Sequence, residues 1–247
     1  MIPKIIHYCW FGGNSLPESA KKCIESWKSF FPDYEIKQWN EQNFDVNICD
    51  YCREAYEAKK WAFVSDYARF WILYKYGGIY FDTDVEVIAD FRDIISGGPF
   101  MGCEQTINGA VMANPGLGLA MNPHEPFLKT MLDTYEKAHF DISDETKLKT
   151  VVDYTTELLM KEGFQGNNTT EQAAGLTIYP TDYFCPMNQE SGEINITENT
   201  RSIHHYTASW QSPYKRLKSK IKRIIGKKAT DRIIRIKRKF LGKGKST

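Results

Sequence analysis

An α/β fold, with a largely parallel sheet flanked by helices and followed by a basic helical C-terminal tail, is predicted for this 247-residue chain from three observations. The first 40 residues read strand, helix, strand, the start of a βαβ unit whose strands run in parallel. A long apolar segment without Gly or Pro then leads into a glycine pair and the stretch "GGIYFDTDVEV". Finally, the charge changes sign along the chain. From Gln211 onward fifteen Lys or Arg face one acidic residue, a balance of +14, against −13 for residues 1–210. With 42% hydrophobic and 14% aromatic residues, the acidic part is long enough to bury one sizeable core.

Taken in order, "PKIIHYCW" reads as the first strand and runs into the loop "FGGNSL". Trp10 and Gly12–Gly13 therefore sit at the carboxyl end of a strand, where open α/β sheets hold ligands. Pro17 suits the first turn of a helix whose apolar positions, Ala20, Cys23, Ile24 and Trp27, follow the helical period. "YEIKQW" reads as the second strand. A second helix is expected over Ala55–Tyr76, with Gly77–Gly78 as its stop. Trp61, Phe63, Val64, Phe70, Trp71, Ile72 and Leu73 make it apolar nearly all round, so it is a buried helix. Asp66 and Arg69 share one face of it. Charges there either pair with each other or meet a polar ligand, and the spacing alone leaves both readings open.

After the glycines, an extended strand would place Ile79, Phe81, Val85 and Val87 on one face and Tyr80, Asp82, Asp84 and Glu86 on the other. Three carboxylates on one face repel unless a cation neutralises them. Hard oxygen ligands suit Mg²⁺ or Mn²⁺ rather than zinc, and a metal at a strand end is placed to hold a diphosphate. A D-x-D alone is a weak signal. The buried helix, glycine pair and aromatic strand around it carry the weight.

Six cysteines stand at positions 9, 23, 49, 52, 103 and 185. Cys49 and Cys52 form a lone C-x-x-C with no second pair or histidines at ligand spacing, so they read as small buried hydrophobes rather than a zinc site. No basic n-region with an apolar h-region opens the sequence, and no apolar run approaches 18 residues. A cytosolic location is expected, in which the sequons at Asn167, Asn168 and Asn195 carry no meaning.

The break in charge falls near Pro213, which divides the chain into residues 1–213 and a tail, 214–247. In the tail Leu217, Ile221, Ile224, Ile225, Ile233, Ile234, Ile236 and Phe240 recur at roughly helical spacing. A basic amphipathic segment suits an anionic membrane surface, where each Lys or Arg contributes about 1 kcal/mol. A merely solvated tail is the plainer alternative. Nucleic acid is not the expected partner, because Tyr214 and Phe240 are the tail's two aromatics and stacking needs more.

"AFVSDYARFWILYKYGGIYFDTDVEV" resembles the signature of the glycosyltransferases with a DXD sugar-binding motif, a group that includes initiating mannosyltransferases, capsule and lipopolysaccharide transferases and, more distantly, clostridial glucosylating toxins. "IPKIIHYCWFGG" and "CIESWKSFFPDYEIKQWN" are similar to that family's opening. The resemblance is dense over about the first 90 residues. It implies a GT-A fold with a mixed, mostly parallel Rossmann-like sheet, a nucleotide-sugar donor, Mn²⁺ or Mg²⁺, and retention of anomeric configuration. By the same resemblance Trp10 stacks on the base, Asp66 and Arg69 grip the donor sugar, Tyr80 lines the donor site, Asp82 contacts the ribose or sugar and reaches the metal partly through water, and Asp84 binds the metal directly.

Near the end, "IHHYTASW" is similar to the H-Y-T-G…W ending of related GT-A families, in which the histidine completes the metal shell and the tryptophan approaches the diphosphate. Adjacent histidines on a strand face opposite ways, so one of the two reaches the site; His205 is the expected ligand and Trp210 the expected diphosphate neighbour. Ala208 stands where a glycine is common and no lysine precedes the tryptophan. In "GCEQTINGAVMANPGLGL" Asn108 is the candidate sugar contact, with a turn role for Asn-Gly as the alternative. Residues from about 115 to 195 are expected to build the acceptor site.

The expected activity is thus transfer of a hexose, from a UDP-sugar or alternatively GDP-mannose, to a saccharide or lipid-linked acceptor in bacterial surface polysaccharide synthesis, at the inner face of the membrane. Two rivals stay open: a metal-dependent nucleotidyl or phosphoryl transferase, disfavoured because "FGGNSLPES" is no phosphate loop with a lysine, and a non-catalytic surface binder.

Overall fold

The computed structural model describes residues 1–106, 108–143, 148–189 and 191–207; the expectations for Trp210 and for the 214–247 tail fall outside these. Strand β1 (Ile5–Cys9) and helix α1 (Glu18–Phe30) form where the sequence places them, and α1 buries the stripe Ala20, Cys23, Ile24 and Trp27. Pro17 caps α1 in an extended conformation, one residue before its first turn. Strand β2 (Glu35–Trp39) then lies parallel to β1.

The single helix expected over Ala55–Tyr76 is instead two, α2 (Asp50–Glu57) and α3 (Trp61–Tyr76). The corner is a Schellman motif: Lys60 N–H donates to Ala55 O and Lys59 N–H to Tyr56 O, both at 2.9 Å. Lys59, at φ 57°, takes the left-handed position usually left to glycine. The turn lets α2 bury its own face, Tyr51, Cys52 and Ala55, against α3. Tyr56 and Trp61 close the corner with ring centroids 5.0 Å apart.

Helix α3 is buried as its composition requires, and Gly77 (φ 61°) ends it by donating to Leu73 O at 2.8 Å. The strand that follows is also divided. Strand β3 (Gly78–Tyr80) pairs in parallel with β1, whereas β4 (Val85–Val87) belongs to a separate two-stranded sheet. Phe81 N–H still reaches His7 O and Asp82 N–H reaches Gly116 O, then Val85 N–H closes a turn onto Asp82 O. Asp82-Thr83-Asp84 is therefore the point at which the chain leaves the large sheet. The predicted apolar face survives the break, since Ile79, Phe81, Val85 and Val87 are all buried.

The remaining elements are α4 (Arg92–Ser96), β5 (Phe100–Gln105), β6 (Val111–Met121), α5 (Pro126–Glu136), α6 (Val151–Lys161), β7 (Glu171–Ala173), β8 (Leu176–Tyr179), α7 (Thr181–Phe184) and β9 (Ser202–His204). The large sheet has the order β2-β1-β3-β6-β5-β8-β7. Five of its strands run one way and β6 and β7 run against them. This mixed, mostly parallel sheet is the GT-A arrangement expected above. One core packs α2, α3, α5 and α6 on Tyr80, Met101, Leu119 and Leu176; the other packs α1, α4 and α7 on Ile6, Ile79, Phe100 and Leu117. No helix among the described residues is long and apolar enough to cross a membrane.

His7, on β1, ties the sheet to the start of β3. Its Nε2–H donates to Gly77 O at 2.9 Å while its Nδ1 accepts from Trp39 Nε1–H at 3.1 Å, so the neutral tautomer is the one that fits. Burial, aided by the charge of Lys37, lowers its pKa from 6.5 to about 4. The unfolded chain therefore binds a proton between these values that the fold excludes, and stability present above pH 6.5 is lost as pH falls toward 4. The loss expected from this residue is on the order of 3 kcal/mol. Urea unfolding of His7→Gln checks it: the variant is less stable at pH 7 but its stability changes less between pH 6.5 and 4.

Candidate active site

The site forms where β3 ends. Asp66 and Arg69, one turn apart on α3, are brought beneath the aspartate turn because α3 packs on β1 and β3. Arg69 Nη2 lies 2.9 Å from Asp66 Oδ1 and 3.4 Å from Asp82 Oδ1, so one guanidinium bridges two carboxylates. Its planar face also lies over the Tyr80 ring, 4.9 Å from the centroid. Burial pushes the Asp66 carboxyl up to about 7, only partly opposed by the Arg69 charge. Burial also works against the Arg69 charge, but Asp82, Tyr80 and Asp66 outweigh it and keep the guanidinium ionised. Arg69 Nη1 is buried with no hydrogen-bond partner among the described residues, which is costly unless a ligand supplies one.

Tyr80 is buried and its hydroxyl donates to Asp82 Oδ1 at 3.1 Å. Burial raises the phenol's pKa well above the usual value, so it stays a donor. Asp84 is held from the other side, by the arm that follows β9. Thr207 donates to Asp84 Oδ2 from its N–H at 2.8 Å and its hydroxyl at 3.0 Å, and His204 Nε2 lies 3.0 Å from Asp84 Oδ1. Burial opposes ionisation of Asp84, but the His204 charge and these donors overcome it and hold the carboxyl well below the usual range.

The histidine in the cluster is His204, not the expected His205. Antiparallel pairing sets Val85 opposite His204, so His204 shares the inward face of Val85. His205 falls beyond the strand end and bonds Glu86 Oε2 at 2.7 Å instead. One ligand atom each from Asp82, Asp84 and His204 lie within 4.8 Å of one another. Two carboxylates and an imidazole, once it gives up the proton it shares with Asp84, fit a divalent cation.

Trp10 sits half-buried at the end of β1, its Nε1–H donating to Asn14 O at 2.7 Å. Asn108 is exposed in the turn between β5 and β6, bracketed by Thr106 N–H to Ala110 O and Gly109 N–H to Thr106 O. The asparagine beside the aspartates is Asn114, whose Oδ1 accepts from Gly116 N–H at 2.7 Å and whose Nδ2 donates to Glu104 at 2.8 Å. Glu104 in turn accepts from the Tyr206 hydroxyl at 2.9 Å, and the Tyr206 ring lies 4.2 Å from that of His204. Asn114, Glu104, Tyr206 and Thr207 carry no expected role, although they lie within "GCEQTINGAVMANPGLGL" and "IHHYTASW".

The cation-fitting aspartate turn thus stands above a buried Asp–Arg pair at the end of a central parallel strand. Residues 17–101 match the family model described as "Glycosyltransferase sugar-binding region containing DXD motif". Two similar proteins are Inositol phosphoceramide mannosyltransferase 3 of Schizosaccharomyces pombe, 29% identical over 54% of this chain and 42% of that protein, and Inositol phosphoceramide mannosyltransferase 2 of the same organism, 25% identical over 56% and 39%. The chain thus spans about two fifths of the length of these curated relatives. A solved structure described as "PaToxG Glycosyltransferase" superposes with TM-score 0.47 at 19% identity, over 66% of this chain and 70% of that one.

Gly116 tests the geometry without touching a ligand. A Cβ at this position would lie 2.0 Å from Asp82 Oδ2, so Gly116→Ala must displace the carboxylate. Calorimetry with Mn²⁺ should show affinity reduced about tenfold or more, about 1.4 kcal/mol, while circular dichroism stays that of the parent protein.

Proposed function

We propose that the chain is a retaining, divalent-metal-dependent glycosyltransferase that moves a sugar from a nucleotide-sugar to a saccharide or lipid-linked acceptor in surface polysaccharide synthesis. The observation that carries this reading is the convergence of Asp82, Asp84 and His204 above Arg69, whose Nη1 lacks a partner among the described residues. In this reading Asp82, Asp84 and His204 hold Mn²⁺ or Mg²⁺. When bound, the cation stabilises negative charge on the departing nucleoside diphosphate.

The protein's own groups do the rest. Tyr80 and Arg69 fix Asp82 from below, and Thr207 fixes Asp84 from the β9 arm. With both carboxylates held before substrate arrives, little reorganisation is needed during transfer. Arg69 Nη1–H meets an oxygen of the donor, and Asp66 accepts from a sugar hydroxyl, which orients the anomeric carbon. Trp10 stacks on the base. For retention we favour a same-face route in which the leaving diphosphate takes the acceptor's proton, because it requires no nucleophile from the protein. A glycosyl–enzyme adduct detected by mass spectrometry would overturn that route.

A UDP-sugar is the proposed donor. The mannosyltransferase names of the two fungal relatives make GDP-mannose the donor to compare with it, and their inositol phosphoceramide supports a lipid-borne acceptor. The +14 segment after Gln211 would keep the enzyme at the inner, anionic face of the membrane.

Calorimetry with a panel of UDP-sugars and GDP-mannose, with Mn²⁺ and then with EDTA, tests the reading. Binding of one donor that requires metal and is lost in Asp84→Ala is expected, with nucleoside diphosphate released on turnover. Release of pyrophosphate would instead indicate nucleotidyl transfer, and no binding to any donor would indicate a non-catalytic binder. Sedimentation with anionic vesicles should fall when the chain ends at Pro213.

A further inference from the structure

Tyr206 follows His204 by two residues on the β9 arm and turns back toward the cation-fitting cluster. Its hydroxyl donates to Glu104 Oε2 at 2.9 Å, accepts from Gln189 Nε2–H at 2.8 Å and lies 2.9 Å from Cys185 Sγ. A phenol has one proton to give and two lone pairs to fill. With the thiol donating, all three are used, so the ring is anchored at its tip from three directions.

That ring lies 4.2 Å from the His204 imidazole, at an interplanar angle of 57°. Histidines that ligate a metal are commonly oriented by a strong hydrogen bond from the other ring nitrogen. His204 lacks such a bond. Its Nδ1 is buried without a regular hydrogen bond among the described residues, and the Cys185 thiol that acts on this histidine is a weak partner. The anchored Tyr206 ring supplies instead a wall against which the imidazole rests.

The backbone adopts a costly shape to place this residue. Tyr206 sits at φ 47°, an unfavourable region for an aromatic residue. The turn folds the arm over Asp84, whose backbone oxygen accepts from His205 N–H at 3.0 Å and whose Oδ2 accepts from Thr207 N–H at 2.8 Å. An extended Tyr206 would carry Thr207 away from that carboxylate.

Beyond the hydroxyl the path continues to the other aspartate. Glu104 Oε2 also accepts from Asn114 Nδ2–H at 2.8 Å. Asn114 stands at an irregularity in β6, where pairing with β5 jumps from Leu119–Met101 to Asn114–Gly102 and residues 115–118 leave that ladder. Within the bulge Gly116 N–H donates to Asn114 Oδ1 at 2.7 Å, and Gly116 O accepts from Asp82 N–H at 2.9 Å. Tyr206 is thus joined to His204 by its ring and to Asp82 by a chain of hydrogen bonds from its hydroxyl.

We propose that Tyr206 is a positioning residue of the cation site: its ring sets the His204 imidazole, and its hydroxyl, through Glu104 and Asn114, fixes where that imidazole stands relative to Asp82. The inference rests on the metal-dependent reading given above and is independent of which donor or acceptor is used. A tyrosine that only packed the arm against the body would support the fold and leave the affinity for the cation alone.

The test titrates the full chain with Mn²⁺ alone by calorimetry, with circular dichroism to report the fold. Tyr206→Phe keeps the ring and removes the hydroxyl, whereas Glu104→Ala removes the hydroxyl's acceptor. Each is expected to lower Mn²⁺ affinity about tenfold, the lower end of what losing a ligand's supporting partner costs. Because both act through one hydrogen bond, the double variant should bind no more weakly than the weaker single variant. Glu104→Gln keeps an acceptor oxygen and should retain most of the affinity. Should Tyr206→Phe not fold, Glu104→Ala against Glu104→Gln decides the matter, since both leave Tyr206 in place. Folded single variants with the parent's affinity, or losses that multiply in the double variant, overturn the inference while the metal-dependent reading stands. An unsubstituted chain that binds no Mn²⁺ would defeat that reading itself, and the inference with it.

Discussion

A buried guanidinium shared between two carboxylates is the interaction on which the site depends. Removing Arg69 from water is costly, and Asp66 and Asp82 compensate at 2.9 and 3.4 Å. The compensation is incomplete, because Nη1 has no partner among the described residues. An apolar helix has thus been given a charge that its own neighbours do not fully satisfy. A ligand with oxygens to offer would complete the arrangement, and the buried Asp66 carboxyl, pushed up to about 7, belongs to the same network.

From that constraint the rest of the layout follows. For Arg69 to reach Asp82, α3 must end where β3 begins, which Gly77 allows by turning the chain at positive φ. Asp82 must then sit where the backbone leaves the large sheet, with room at Gly116 for its carboxylate. Asp84 lies two residues on, outside the sheet, and needs support from elsewhere in the chain. The β9 arm supplies it, through His204 and Thr207, more than a hundred residues later. The aspartate turn and the closing arm therefore meet only in the folded chain.

This division explains what could be read from the sequence. The first strand, α1 and β2 were legible because each has a clean periodicity over a short range, and Asp66, Arg69, Asp82 and Asp84 stood out against apolar surroundings. The corner at Lys59 was not legible, since a lysine in the left-handed position carries no sequence signal. The division of the strand after Tyr80 was hidden because the apolar alternation continues unchanged through the turn. Choosing between His204 and His205 required the register of β9 on β4, a pairing set by contacts 120 residues apart in the chain. Asn-Gly at 108 drew attention from Asn114 because a turn signal is local, whereas the role of Asn114 depends on strands β5 and β6 meeting.

The central claim is that Asp82, Asp84 and His204 form one cation site. Pulsed electron paramagnetic resonance of bound Mn²⁺ tests it most directly, because a coordinating imidazole couples its nitrogen to the metal spin. Nitrogen coupling should be present in the unsubstituted protein and in His205→Ala, and absent in His204→Ala. Coupling that persists without His204, or that disappears without His205, would contradict the account.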